Sequence, residues 1–367
     1  MKFIIFTFLL VCQYSLSFAG YNTDSTAHAG LRDSVSAKLD LLLHNASFNT
    51  PDYPKEAIQN YRDALILNKH RSIIWEADIR LEMAKLMIRT GSKEALSQLL
   101  KADELYKKGS SLYGRADALY MMAKFHEKNS LFDEAQKTYM ELYKVQQEAG
   151  EFVLAGNTVN YLADYHLRKL NYTEAFNYAA LAKNAYYHVC RRDSLGSVYF
   201  KIATIKRIQK KPKLAEYYII SHALPYYSSA DDFKGRARSF DFLGHLYQDQ
   251  KRFSQAKWFY IQSNTEARRL KDTAGTITSL INIGIVKLLI GDVSLAKTDL
   301  AEAEQLSKEG NFGHILAGFK LRYPTLLKKV SVKTESINST GFRYPVLPTG
   351  KRLAYCTAKS GFTEQLL

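Results

Sequence analysis

Small apolar residues recur along this chain at an interval too long for a single helix. Ala57, Ala95, Ala135, Ala175, Ala215, Ala256 and Ala296 stand 38, 40, 40, 40, 41 and 40 residues apart. Around the last five, further positions repeat. Twelve residues upstream of each anchor is a small residue: Ala123, Ala163, Ala203, Gly244 and Gly284. Directly before these stand Met122, Leu162, Ile202, Leu243 and Ile283, and three residues earlier Leu119, Val159, Tyr199, Phe240 and Leu280. Large, large and small at this spacing mark one face of an amphipathic helix. Four residues past each anchor, Tyr139, Ala179, Ile219, Tyr260 and Leu300 carry the inner face of a second helix one turn on. Asn129-Ser130, Lys169-Leu170-Asn171, Lys211-Pro212, Asp249-Gln250-Lys251 and Gly291-Asp292 are the turns between the two. Each period therefore predicts a helical hairpin. Its small residues let the helices approach closely, and its large ones fill the gap to the next hairpin.

No hairpin buries its apolar face alone, so neighbours must stack, and a stacked array is a binding surface before it is a reaction vessel. The first two periods are weaker. Pro54-Lys55-Glu56-Ala57 opens a second helix, continued by Tyr61 and Ala64, with Ser34–His44 as the first helix of that pair. In the next period Ala84 precedes Ala95 by only eleven residues, across a turn at Thr90-Gly91-Ser92. Phe312–Lys320, with Ile315, Leu316 and Phe319 at its apolar positions, starts one more hairpin that Pro324 interrupts.

This grammar resembles the tetratricopeptide repeat (TPR) family over roughly residues 35–330. The resemblance implies an all-α fold, a right-handed superhelical solenoid of about seven TPR-like hairpins. Two departures stand out. The period exceeds the roughly 34-residue standard, which resembles the longer arrays of Rap-type and MalT-type bacterial regulators, with HEAT repeats at about 40–47 residues as the competing helical family. The aromatic residue that TPR repeats often place nine before the anchor is present only as Tyr247; His126, His166, Lys206 and Lys287 stand there instead. The resemblance also implies a concave groove lined by the first helices. Transferred by phase, its lining is Asp117, Tyr120 and Lys124; Asn157, Asn160 and Asp164; Phe200, Thr204 and Arg207; and Arg238, Asp241 and His245. Asn160 can donate and accept at once, as a peptide backbone requires. Arg207 and Arg238 can hold a carboxylate bidentately. The Lys and Asn pattern with which some TPR domains clamp a terminal carboxylate is not reproduced.

The two ends read differently from the array. Lys2, the apolar run Phe3–Val11 and Ser17-Phe18-Ala19 together predict a signal peptide over residues 1–19, cleaved after Ala19. The run is too short to span a bilayer. A short linker, 20–33, then leads into the array at 34–330, and no later segment approaches 18 uninterrupted apolar residues. From about Ser331 the helical period disappears, so residues 331–367 read as an irregular tail, disordered or truncated. Signal peptide followed by long-period TPR array is also the order of parts in a bacterial sensor family. There a membrane helix and a histidine kinase or helix-turn-helix output follow, so the alternative reading is the ligand-sensing input half of a truncated signalling protein.

The formal charge of +15 is unevenly spread. Residues 187–271 carry 17 Lys and Arg against 7 Asp and Glu, while residues 1–186 carry 22 against 21. Such a block is either a set of solvated helix faces or a basic patch for an acidic peptide, a polyanion or an envelope surface. Nucleic acid does not suit an exported chain. Cys190, in a predicted helix, and Cys356, in the tail, are the cysteines that survive cleavage, with Cys190 read as a free structural residue. No H-E-x-x-H, Walker loop or G-x-S-x-G occurs. S-x-x-K appears as Ser254–Lys257 and Ser294–Lys297, but both copies start two residues before an anchor and so belong to the repeat. The histidines show no ligand spacing. The expectation is an exported periplasmic or envelope scaffold that binds a protein or peptide, with no catalytic residue, no metal and no cofactor. Tyr139, Tyr199, Phe240 and Tyr260 are expected in the core rather than on a stacking surface.

Overall fold

The computed structural model describes residues 37–46, 53–68 and 72–322, and every regular element among them is a helix. The expected signal peptide, linker and tail, with Cys356, lie outside the described residues. Contacts divide the chain into two compact units, Met1–Leu131 and Phe132–Leu367.

In the first unit a helix over 37–46 is followed by Pro54–Leu67, Ile73–Thr90, Ala95–Lys108 and Leu112–Lys128. Pro54 occupies the first turn, where its missing N–H leaves no intrahelical bond unmade. Ser72 caps the next helix by accepting from the Trp75 N–H at 3.2 Å, and Gly91 ends it in the left-handed region at φ +78°. Ala57, Ala84 and Ala95 are fully buried, as the repeat phase requires.

The second unit runs on a fixed rhythm. Phe132–Glu148, Phe152–Arg168, Tyr172–His188 and Arg192–Ile208 are 17 residues each, joined by three-residue connectors. The middle connector residue is left-handed: Gly150, Leu170, Cys190, Lys210, Asp231, Lys251, Lys271 and Asn311 all have φ between +49° and +75°. The residue after it closes the helix end by donating to a carbonyl five back, as in Asn171 to His166, Lys211 to Lys206 and Arg252 to Tyr247, each at 2.9 Å. These are Schellman closures, which satisfy the last carbonyls of a helix, here mostly without glycine. The long period is therefore a property of helix length, not of loops. Cys190 lies in such a connector, exposed, rather than in a helix. Likewise Asp249 ends a helix and Pro212 begins one, so the connectors there are 209–211 and 250–252.

The single 41-residue interval, Ala215 to Ala256, has a local cause. Pro212–Tyr217 is α-helical, Tyr218–Ala223 is π-helical and Leu224–Ser229 is α-helical again. A π-bulge absorbs one extra residue without breaking the helix. Tyr106 and Tyr186 stand 11 residues after their anchors and Tyr227 stands 12 after Ala215, yet all three are buried in equivalent seats. Each ring lies against glycine backbone: a Cβ on Gly114 would fall 2.2 Å from Tyr106, on Gly156 2.5 Å from Tyr186, and on Gly235 2.3 Å from Tyr227. Tyr106 donates to Asp78 at 2.6 Å and Tyr186 to Asn157 at 2.7 Å. The bulge thus restores packing register after the inserted residue.

Ala135, Ala175, Ala215, Ala256 and Ala296 are 0–3% exposed, and Tyr139, Tyr199, Phe240 and Tyr260 are buried with them. Thr273–Ile290 is apolar and long enough to cross a membrane, with mean hydropathy 1.6, but two thirds of it is buried inside the stack. Its core set, Ile277, Leu280, Ile281, Ile285 and Leu288, packs with Ala296, Leu300 and Ala303, and Phe312, Ile315 and Leu316 cover that cluster. Where the aromatic of the nine-before position is missing, other chemistry fills the place. His166 stacks on Tyr178 with centroids 5.2 Å apart, Lys206 sits 3.8 Å over Phe176, and Lys287 pairs with Asp299 at 2.6 Å.

Candidate functional site

In the second unit the first helices of successive hairpins meet along one face, and their contacts show the register. Lys201 bonds the Asn160 side-chain oxygen at 2.6 Å, its backbone oxygen at 3.2 Å, and Asp164 at 2.5 Å. Asn282 donates to Asp241 at 3.0 Å, and Arg207 pairs with Asp249 at 2.7 Å. Asn160 and Lys201, Asp241 and Asn282, and Arg207 and Asp249 are 41 or 42 residues apart, one repeat and a further residue or two, while Asp164 reaches Lys201 across 37. Lys201 is largely buried, which lowers the pKa of its ammonium, and the Asp164 carboxylate opposes that shift. Asn160 therefore has its acceptor occupied and retains its NH2 for a ligand, while Asp164 is half engaged.

The best-defined feature is a cationic and aromatic patch between Arg192–Ile208 and Phe233–Asp249. Phe200 meets Phe242 edge-on at 5.4 Å. Arg238 lies 4.9 Å over the Phe200 ring, and Arg207 lies 5.4 Å over Phe242. Thr204 is not directed at a ligand: its hydroxyl donates to the Phe200 carbonyl at 3.0 Å. Arg207 is already neutralised by Asp249. Arg238 is exposed and makes no ion pair among the described residues, so its guanidinium edge is the open donor of the group.

Beside the patch, Asp241 and His245 stand one turn apart, with His245 Nε2 3.5 Å from the carboxylate. Burial raises the Asp241 carboxyl, against the opposing pull of His245, Asn282 and Arg207. His245 Nδ1 meets the Tyr260 hydroxyl at 2.8 Å, and that hydroxyl donates to Gln248 at 2.9 Å. If the tyrosine gives its proton to Gln248, Nδ1 carries the other, which leaves Nε2 to face Asp241. Asn157 accepts from Tyr186 and is exposed beyond it.

The remaining expected lining falls in the first unit and stands by itself. Lys124 pairs with Glu127 at 2.8 Å and lies 5.8 Å from the Tyr120 ring, which is half exposed. Asp117 stands in the field of Lys85 and Glu82. Among the described residues no three His, Cys, Asp or Glu side chains converge as metal ligands.

Phase reasoning missed Lys201, Phe242 and Asn282. The signal was present in the sequence, because each is one repeat plus one or two residues from a lining residue. Only the angle between neighbouring first helices, which sequence does not state, turns that offset into contact.

No family model matches the chain, and no curated protein matches it. Solved structures do. A signal transduction ATPase with numerous domains and a tetratricopeptide repeat sensor, from Pyrococcus horikoshii, is similar at TM-score 0.53 and 16% identity, over 80% of this chain and 44% of that one. BtubC from P. vanneervenii matches at TM-score 0.49 and 16% identity, over 73% of this chain and 98% of that one. The quorum sensor NprR from B. thuringiensis matches at TM-score 0.46 and 16% identity, over 80% of this chain and 83% of that one. With the helices and register above, the fold is an all-α helical repeat of the tetratricopeptide type.

Proposed function

We propose that this chain is an exported, non-catalytic scaffold that binds a protein or peptide partner on the shared face of the first helices in its second unit. The observation that carries the reading is Arg238, an exposed guanidinium held over Phe200 with Arg207 and Phe242 alongside. A cation stacked on an aromatic ring keeps its in-plane N–H groups free, and those suit a carboxylate of an Asp, a Glu or a chain terminus. On the first helix Phe152–Arg168, Asn160 and Asn157 have their side-chain oxygens taken by Lys201 and Tyr186, which leaves their NH2 groups to donate to a peptide backbone. The support for export is the sequence of residues 1–19 alone. Amino-terminal sequencing of the chain produced in its source cell is expected to begin at Gly20.

The partner-binding reading is tested by placing a photo-crosslinking residue at Phe200 or Asn160, and separately at Trp258 or Lys183 on second helices. Adducts of one defined mass are expected from the first pair alone. Equal adducts from both pairs, or adducts from the second pair only, would move the binding surface elsewhere.

A further inference from the structure

Helices in the second unit alternate in direction, so its connectors alternate between two edges. Those following first helices are centred on Leu170, Lys210, Lys251 and Gly291; those following second helices are centred on Gly150, Cys190, Asp231, Lys271 and Asn311. Within five residues of these centres the first edge carries ten Lys and Arg against three Asp and Glu, and the second carries eight against eight. Of the two edges of the unit, one alone therefore carries a basic excess.

Internal pairing does not cancel that excess. Asp249 is taken by Arg207, and Glu216 bonds Tyr247 and stands 4.0 Å from Arg252. Lys210, Lys211 and Lys213 are exposed and make no ion pair among the described residues. Lys206 rests on the face of Phe176, and its ammonium is pushed down by burial and then by the charge of Lys211. Exposed apolar side chains stand among these cations: Leu170 is 68% exposed, Leu295 55%, and Ile208 and Leu214 43% each.

Cations alone would suit any polyanion. Leu170 at a connector centre, with Ile208, Leu214 and Leu295 in the flanking helix turns, adds what a headgroup layer rewards, shallow insertion of apolar side chains beneath a lysine fringe. An acidic peptide is better served by the Arg238 face, where aromatic rings orient the guanidinium, than by a row of connectors. We infer that this edge docks on an anionic lipid surface, leaving the shared face of the first helices open to its own partner. Arg207 borders both surfaces, but the tests use different residues, Lys210, Lys211 and Lys213 here and Arg238 there, so the two readings stand or fall separately.

The test is flotation of the full chain with vesicles of phosphatidylcholine alone and of phosphatidylcholine with one third phosphatidylglycerol. The apolar run Phe3–Val11, with Lys2 before it, and the basic residues 312–367 are common to the wild type and every variant, so the difference between wild type and variant reports the edge. The wild type is expected to favour the anionic vesicles, less so as salt rises. Lys210→Gln, Lys211→Gln and Lys213→Gln together should weaken that binding roughly 100-fold. The matched triple on the opposite edge, Arg191→Gln, Arg192→Gln and Lys271→Gln, removes the same charge and should leave it within about threefold. Leu170→Ser should weaken vesicle binding while leaving heparin binding unchanged. Equal uptake by both vesicle types, equal loss from both triples, or a Leu170→Ser variant that binds vesicles like wild type would each overturn the inference. Circular dichroism melts of the variants confirm that the helices remain folded.

Discussion

Deleting one residue from the middle of a helix is normally ruinous, and the π-bulge predicts one place where it is not. Each residue turns an α-helix by about 100°, so a deletion swings everything after it off its packing face. Removal of Gln262, six residues after Ala256, illustrates the cost. It would bring Arg268 into the seat of Ala267, which is 2% exposed, and would displace Glu266 from its ion pair with Arg236. An unpaired buried charge alone costs about 3–5 kcal/mol. Asn264 would also lose its bonds to Ser279 at 2.9 Å and to the Thr276 carbonyl at 3.3 Å. Ser221 occupies the same place six residues after Ala215, but it is exposed and lies inside the bulge Tyr218–Ala223. Its removal leaves Tyr227 eleven residues from its anchor, as Tyr106 and Tyr186 already are, in a regular α-helix. The expected loss is about 1 kcal/mol or less, from altered stacking of His222 on Tyr199, now 4.4 Å apart. In thermal melts that separates a shift of about 2–4 °C from one of about 6 °C or more. A Ser221 deletion as damaging as the Gln262 deletion would refute the claim that the bulge is a register correction.

Three further outcomes follow from named contacts. Gly156→Ala drives a methyl to 2.5 Å from the Tyr186 ring and should cost about 1–3 kcal/mol in chemical denaturation, whereas Gly318→Ala, with open space around it, should not destabilise. Lys287→Met strands the Asp299 carboxylate in a site where both side chains are 10% exposed, and should cost about 3–5 kcal/mol; adding Asp299→Leu should recover most of it, and a double variant no better than the single would contradict that. Because burial raises the Asp241 carboxyl, the folded state binds its proton more tightly than the unfolded chain does. Its contribution is therefore fully present below the unfolded pKa of about 3.9 and is lost as pH rises through the folded value. Asp241→Asn, which can still accept from Asn282, should gain melting temperature relative to wild type as pH goes from 4 to 7; a constant difference would argue against it.

Much of this fold was legible because its period is carried by residues that only packing explains. The anchors, the small residues twelve before them and Tyr139 or Tyr260 four after them all reach the core at the expected phase. What the sequence hid were effects with no residue signature. Left-handed connectors are filled by Leu170, Cys190 or Lys251 as readily as by Gly150, because the Schellman bonds hold the backbone whichever side chain is present. That is why Cys190 was expected in a helix. The 41-residue interval was visible as a number, but it did not say whether a loop or a helix had grown. At the candidate site, phase named Asn160, Asp164 and Asp241 but not the residues that bind them, since Lys201 and Asn282 depend on the crossing of neighbouring helices.

The central claim is that the Arg238 face receives a carboxylate-bearing chain. The measurement that reaches it most directly is selection of a random peptide library against the wild type, followed by titration of the enriched peptides against Arg238→Ala and Arg207→Ala. The account predicts peptides rich in Asp, Glu or a required free carboxyl terminus, whose affinity falls at least about tenfold with Arg238→Ala and less with Arg207→Ala, because Asp249 already holds Arg207. Enriched peptides without an acidic group, or acidic ones that bind Arg238→Ala as tightly as wild type, would contradict it.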